Sequence, residues 1–425
     1  MAQGPRARVH REPTMASSSS HSKPDARFIR RVEIKGFKSI VEQSIELGAL
    51  NVLIGANGSG KTAVLEAMGV LGAAADGRVD DTELLRRGVR PGVPKLYKNA
   101  FADLGRLPRV IKLRAESALG HYYSVSLDNP KDSPATPWRF SAETLGRGSQ
   151  RLLTRSPRGG NAWVSRSRSR KLPKLDPFVG LSRVAGVSAS TGALVDVLRS
   201  FAIFDPSTSI LRGTQTDLFQ RDPIGLGGGR LAEALASFEG TARGRRLADE
   251  FGAFVDWSAG VSSARPSPDL ISPSIPVTSE VVRFKDRYMR TGLDELSAYD
   301  ASEGALYVLF ALAMTLHPRA PRFFAIENVG HALHPRLARG LVAHLGEIVL
   351  SERRQLVLTT HNPLVLDSLD LADDRIRLFA IERTTGGHTK IARIPHSEAL
   401  DCALESGLTV SEMWTRGLLG AVPSL

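Results

Sequence analysis

The segment Gly55-Ala56-Asn57-Gly58-Ser59-Gly60-Lys61-Thr62 meets G-x-x-x-x-G-K-[ST] at every fixed position. Each residue type there suits phosphate. The glycines Gly55, Gly58 and Gly60 let backbone N–H groups curl around a triphosphate, with Asn57 and Ser59 completing the turn. Lys61 has the reach for the β- and γ-phosphates, and the Thr62 hydroxyl can complete a Mg²⁺ shell. The expected cofactors are therefore ATP and Mg²⁺. Three later groups carry chemistry-bearing side chains beside apolar runs: Ser302-Glu303-Gly304, Glu327-Asn328 and His361. Taken bare, the first is a helix start and the last a structural histidine.

The elements around these residues can be read from periodicity. Phe28 to Ile40 and Ile45 to Leu47 read as strands, and Asn51 to Ile54 is a strand running straight into the Gly-rich loop. Thr62 to Leu71 has the make-up of a helix packed on a sheet. Beyond Val281 the pattern sharpens again. A strand near Val281 to Phe284 precedes a helix at Ser302 to Leu316, a buried strand at Phe323 to Ile326 and a helix at Pro335 to Leu350. Strands at Gln355 to Thr359, Ile376 to Glu382 and Thr389 to Ile394 follow. Alternating strands and helices imply an α/β fold with a mainly parallel sheet, antiparallel strands at its N-terminal end and an inserted helical or mixed subdomain. The expected division is a disordered basic tail over 1–27, an N-terminal part of the head over 28–75, an inserted subdomain over 76–285, and a C-terminal part over 286–425. Within the insert, Arg147 to Lys174 with its Ser-Arg repeats reads as an exposed loop.

The chain has 425 residues and a net charge of +12, with 42% hydrophobic residues, enough for a full core. The charge is local: +5 falls in residues 1–31 and +9 in residues 146–175, which leaves the remainder near −2. The second segment holds nine basic residues and Trp163, so a grip on nucleic-acid phosphates through 146–175 is an open option beside a plain solvated run. Cys402 is the single cysteine, which excludes an internal disulfide and fits a cytoplasmic protein. The apolar runs Val64 to Ala75 and Ala305 to Leu316 are too short to span a bilayer, so no membrane partner is expected. His331 and His334 lack a third ligand in any recognisable pattern and are set aside as a metal pair.

Gly36-Phe37-Lys38-Ser39-Ile40, the Gly-rich loop, Ser302-Glu303-Gly304, Phe323 to Glu327, Leu333-His334-Pro335 and Thr359-Thr360-His361-Asn362-Pro363 stand in one order. In that order the chain resembles ABC-type ATPases of the SMC and RecF-like group, over about residues 28–74 and 281–394. The resemblance implies a P-loop head that buries two ATP molecules between two copies, hence a homodimer or a higher oligomer built on it. It gives Ser302 and Gly304 the signature role on the other copy's γ-phosphate, His361 the role of γ-phosphate sensor, and Glu327 the Mg²⁺ position. Asn328 falls where the family keeps a glutamate base. An amide holds water but cannot take its proton, so slow hydrolysis is expected. The alternatives are that Glu327 serves as the base with Mg²⁺ held elsewhere, or that His331 or His334 substitutes. Stand-alone relatives imply an ATP-gated dimeric switch in anti-phage defence acting with a separate nuclease or toxin effector. Residues 362–425 are expected to be too few for a fused nuclease of the OLD type. The alternative is a RecF-like DNA-binding ATPase of DNA repair.

Overall fold

The computed structural model describes residues 25, 27–129, 137–156, 159–163, 169–172, 176–184, 189–276 and 280–422. The expected tail over 1–27 therefore lies almost wholly outside the described residues.

Two strands, β1 (Ile29–Phe37) and β2 (Ile40–Glu46), form an antiparallel hairpin, and β3 (Leu50–Ile54) runs into the Gly-rich loop. Next come β4 (Ile111–Ser117), β5 (His121–Asp128), β6 (Arg139–Arg147), β7 (Gln150–Ser156), β8 (Gly159–Trp163) and β9 (Ser169–Lys171). They continue outward from β1, giving an eight-stranded antiparallel sheet in the order β2-β1-β4-β5-β6-β7-β8-β9. A short strand, β10 (Ile203–Phe204), precedes a separate three-stranded sheet of β11 (Ser258–Ala264), β12 (Val281–Asp286) and β13 (Glu295–Ser297). The chain then supplies β14 (Phe323–Ile326), β15 (Gln355–Thr359), β16 (Ile376–Arg383) and β17 (Thr389–Ile394).

The central sheet has the order β10-β14-β15-β3-β16-β17. All its pairings are parallel except β16 with β17, so the expected P-loop α/β sheet is present. Its side chains alternate between two cores, as pleating requires. Phe323 and Ala325 of β14 face the core that holds the helix Lys61–Asp76, and Phe324 and Ile326 face the one that holds the helices Glu303–Leu316 and Pro335–Ser351. The helix Lys61–Asp76 is buried around almost its whole circumference, because it lies against strands of both large sheets and the helix Ala189–Ser200.

Residues 76–285, expected as an insert, contribute to both sheets: β4 to β9 extend the β1–β2 hairpin, and β10 is an edge of the central sheet. The stretch 146–175, expected as an exposed loop, departs from that reading in its described part, where Gln150–Ser156, Gly159–Trp163 and Ser169–Lys171 are strands. The reason lies in β7, where Leu153 and Arg155 turn inward. The Arg155 guanidinium donates to Glu143 Oε2 at 2.7 Å, and Glu143 also accepts from Tyr123 Oη and the Leu181 N–H. One of the nine basic residues thus serves the core. Among the described residues no helix is long and apolar enough to cross a membrane.

Candidate nucleotide site

The helix that starts at Lys61 has no side-chain cap: its N-cap is Gly60 at φ 114°. Its first-turn N–H groups are thus left for a ligand, and a helix N-terminus favours an anion. Gly60 is required there twice over, by its positive φ and because a Cβ would collide with the Thr389 side chain. Thr389 Oγ1 donates to the Ser59 carbonyl at 2.8 Å and shares a hydrogen bond with the Ser39 hydroxyl at 2.7 Å, pinning the loop from β17. From the end of β16, Arg383 Nε donates to the Gly58 carbonyl at 2.9 Å. Inside the loop the Lys61 ammonium donates to the carbonyls of Gly55 at 2.7 Å and Ala56 at 3.1 Å. Burial lowers the Lys61 pKa to about 8, with Glu327 opposing. A buried cation held only by carbonyls is matched to an incoming triphosphate.

Glu327 lies at the C-terminal end of β14 and accepts a hydrogen bond from Thr62 Oγ1. Burial pushes its carboxyl above the usual range, the Thr62 hydroxyl opposes this, and the neighbouring Asp205 charge adds to it. A hydroxyl and a carboxylate side by side at the mouth of a phosphate loop are the oxygen ligands that a hard cation such as Mg²⁺ takes. Thr62 and Glu327 would hold it, and the ion would neutralise charge on the transferred phosphoryl group.

Asn328 adopts φ 56°, a left-handed conformation in which Asn is enriched among non-glycine residues. Its N–H donates to Thr359 Oγ1 at 2.9 Å, and its carbonyl meets His331 Nδ1 at 2.8 Å. His361 stands just past β15, with its pKa lowered by burial and by the Lys61 charge, so the imidazole is neutral at neutral pH. Residues Asn57 to Thr62, Glu327, Asn328 and His361 share one cleft of about 760 Å³.

Ser302 and Gly304 are not part of that lining. Ser302 caps the helix Glu303–Leu316 by accepting from the Ala305 N–H at 3.3 Å, and Gly304 packs near Ala332 and Leu333. This helix start, capped by Ser302 and carrying Glu303 in its first turn, lies outside the P-loop cleft.

Two residues escaped the sequence reading, Glu66 in the cleft lining and Asp205, exposed and outside that lining. Glu66, 1% exposed, bridges Lys38 Nζ at 2.5 Å and Arg90 Nε at 3.2 Å beside the loop. The available signal was a lone carboxylate one helical turn after Thr62 in an otherwise apolar run. Asp205 follows β10, whose register against β14 pairs Phe204 with Ile326. The strand is only two residues long, and nothing in sequence marked it.

The chain is similar to several proteins of known family. A family model described as "AAA domain, putative AbiEii toxin, Type IV TA system" matches residues 236–367, and one described as "AAA ATPase domain" matches residues 28–85. The DNA replication and repair protein RecF of Halothermothrix orenii is 40% identical over 72 residues, 16% of this chain and 19% of that one. RecF of Paenarthrobacter aurescens is 32% identical over 139 residues, 28% of this chain and 35% of that one. The alignments thus span about a fifth to a third of the RecF chains' length. Among solved structures, an SMC head bound to the C-winged helix domain of ScpA aligns at TM-score 0.49 and 14% identity, covering 88% of this chain and 99% of that one. The SMC head domain from Thermotoga maritima aligns at TM-score 0.42 and 12% identity, covering 87% and 100%.

Proposed function

We propose that this chain, an SMC/RecF-like ABC-type ATPase, works as an ATP-gated dimeric switch that restrains or presents a separate effector protein in anti-phage defence. The observation that carries the switch is the separation of the P-loop cleft from the Ser302-capped helix start. Lys61, Thr62 and Glu327 are gathered in one cleft, while the Ser302 helix end lies outside it. ATP held by Lys61 of one copy and capped by Ser302 of a second would belong to the closed dimer alone. A ligand shifts an equilibrium only by its preference between states, so ATP would drive closure. Asn328 fits a switch that stays closed, since an amide at the water position slows hydrolysis. The defence role takes its support from the description of the family model over residues 236–367, which names a toxin system.

The test is light scattering with and without Mg·ATP. The native chain is expected to double in mass with ATP. Lys61→Ala should lose ATP affinity by about 10- to 100-fold, the worth of a charge-assisted hydrogen bond to phosphate. Ser302→Arg should bind ATP as the native chain does yet remain monomeric. ATP binding with no change of mass in the native chain would refute the switch.

A second reading, a DNA-binding ATPase of repair, is favoured by the RecF relatives and by the basic strands β6 to β9, where Arg139, Arg147, Arg151, Arg170 and Lys171 are exposed.

A further inference from the structure

A cleft of about 1130 Å³, larger than the nucleotide cleft of about 760 Å³, opens where the chain enters β10 and β14. Glu327 and the phosphate loop lie at the other end of these parallel strands, and the two clefts share no residue. The charge of this second cleft is one-sided. Arg86, Arg221, Arg319 and Arg322 line it against two carboxylates, Asp217 and Asp222. Both carboxylates are already engaged. Asp217 Oδ2 accepts from the Gly227 N–H at 2.9 Å and the Gly229 N–H at 3.2 Å, and Asp222 pairs with Arg230, which stands outside the lining. The Arg221 guanidinium donates to the carbonyls of Ser200 at 2.8 Å and Arg199 at 3.3 Å and makes no ion pair among the described residues. Arg319 stands 3.7 Å from the Asp222 carboxylate that Arg230 holds, Arg322 is exposed, and Arg86 leans on Glu83 of its own helix at 3.1 Å.

The lining also has an apolar part. Leu85, Phe219 and Pro321 contribute to it, and so does Leu218, which is 80% exposed. Leu218 is presented by a fixed loop: on one side of it Asp217 is clasped by the Gly227 and Gly229 N–H groups, and on the other the Phe219 N–H donates to Asp217 Oδ1 at 3.2 Å. Arginines around an apolar patch make up a protein-binding surface, and a fixed loop lowers the ordering cost of binding. A nucleic-acid backbone would meet the guanidinium groups and leave Leu218 in water. A peptide with carboxylates beside an apolar side chain satisfies both.

We propose that this cleft docks an acidic segment of the effector protein, its carboxylates on Arg221, Arg319 and Arg322 and an apolar side chain of the segment against Leu218 and Phe219. Guanidinium and carboxylate pair in the bidentate way that fixes register as well as affinity. Because the cleft shares no residue with the nucleotide site, ATP and the effector can be held at once. The inference rests on the effector-switch reading above for the identity of the partner.

The experiment selects random phage-displayed peptides on the full chain, then measures the enriched sequences as fluorescent peptides by anisotropy. The enriched sequences should carry Asp or Glu beside Leu, Ile or Phe. Their affinity should fall at least about tenfold in Arg319→Glu with Arg322→Glu, where like charges meet, and about tenfold in Leu218→Ser, where an apolar contact is lost. All three positions are exposed, and ATP affinity within about twofold of native in both variants shows that the fold is kept. Enrichment of peptides without acidic residues would overturn the docking site, and so would acidic peptides that bind the charge-reversed chain within about twofold of native. A single-stranded DNA probe that loses affinity in that variant while no peptide does would overturn it in favour of nucleic acid. If ATP doubles the mass of the native chain and no acidic peptide is enriched, only the docking site falls. If the mass stays unchanged with ATP while the peptides bind through these arginines, the switch falls and the cleft stands as an acidic-peptide site.

Discussion

Asn328 concentrates what single residues decide in this site. Its left-handed φ of 56° carries little penalty for Asn and about 1 kcal/mol or more for Glu, so the backbone at the end of β14 and the departure from a glutamate are of one piece. Asn328→Glu is still expected to raise the single-turnover rate by at least about tenfold, since it brings a proton acceptor directly to the water position. Quench-flow measurement checks it, and a rate that does not move would place the water away from residue 328. Glu327 would then be the carboxylate to replace. Lys61 adds a second residue-scale point. Its ammonium is held by the carbonyls of Gly55 and Ala56 and pays a desolvation cost that phosphate oxygens would relieve.

At the scale of elements, the helix Glu303–Leu316 links both halves of the proposed switch. Ser302 caps its start, and Tyr307 and Glu303 tie it to the Pro206–Thr208 segment. Its far end is closed by His317, 1% exposed. His317 Nδ1 accepts from the Arg319 N–H at 3.0 Å, so Nε2 carries the proton and donates to Ser237 Oγ at 2.9 Å. Both ring nitrogens are thus used by the neutral form. Burial first, then the Arg319 and Arg354 charges, lowers its pKa from 6.5 to about 4. Because the folded value lies below the unfolded one, the unfolded chain takes up a proton first as pH falls. The stability is therefore complete above pH 6.5 and is lost progressively toward pH 4, by up to about 3 kcal/mol. Urea denaturation at pH 7 and pH 4.5 should show a smaller acid loss for His317→Gln than for the native chain. Equal losses would mean that His317 takes up its proton as readily folded as unfolded.

On the scale of the whole molecule, the basic charge separates into two kinds. Arg155 is buried against Glu143 and holds β7 onto β6, whereas Arg151, Arg170 and Lys171 are exposed on β7 and β9. If this sheet meets nucleic acid, Arg151→Glu with Arg170→Glu and Lys171→Glu should weaken DNA affinity and flatten its salt dependence, with the slope falling by roughly 1 for each lost phosphate contact. Fluorescence anisotropy over stepped salt measures this. An unchanged slope would remove the DNA-repair reading and leave the effector switch.

The phosphate loop, the strand before Glu327 and the strand before His361 were legible without coordinates. Their chemistry is local: a turn that needs glycines, a helix start that leaves N–H groups free, and short apolar runs that end on a polar residue. The strands Phe323–Ile326 and Gln355–Thr359 fall where periodicity puts them, since fully buried parallel strands read as unbroken apolar runs. Other features depend on residues far apart in sequence becoming neighbours. The side-by-side placement of Asp205 and Glu327, the Glu66 bridge between Lys38 and Arg90, the inward turn of Arg155 and the continuation of β1 through β4 to β9 are all of this kind. Strand order and side-chain pairing across the sheets are set by which apolar faces bury one another, and only the folded chain decides that.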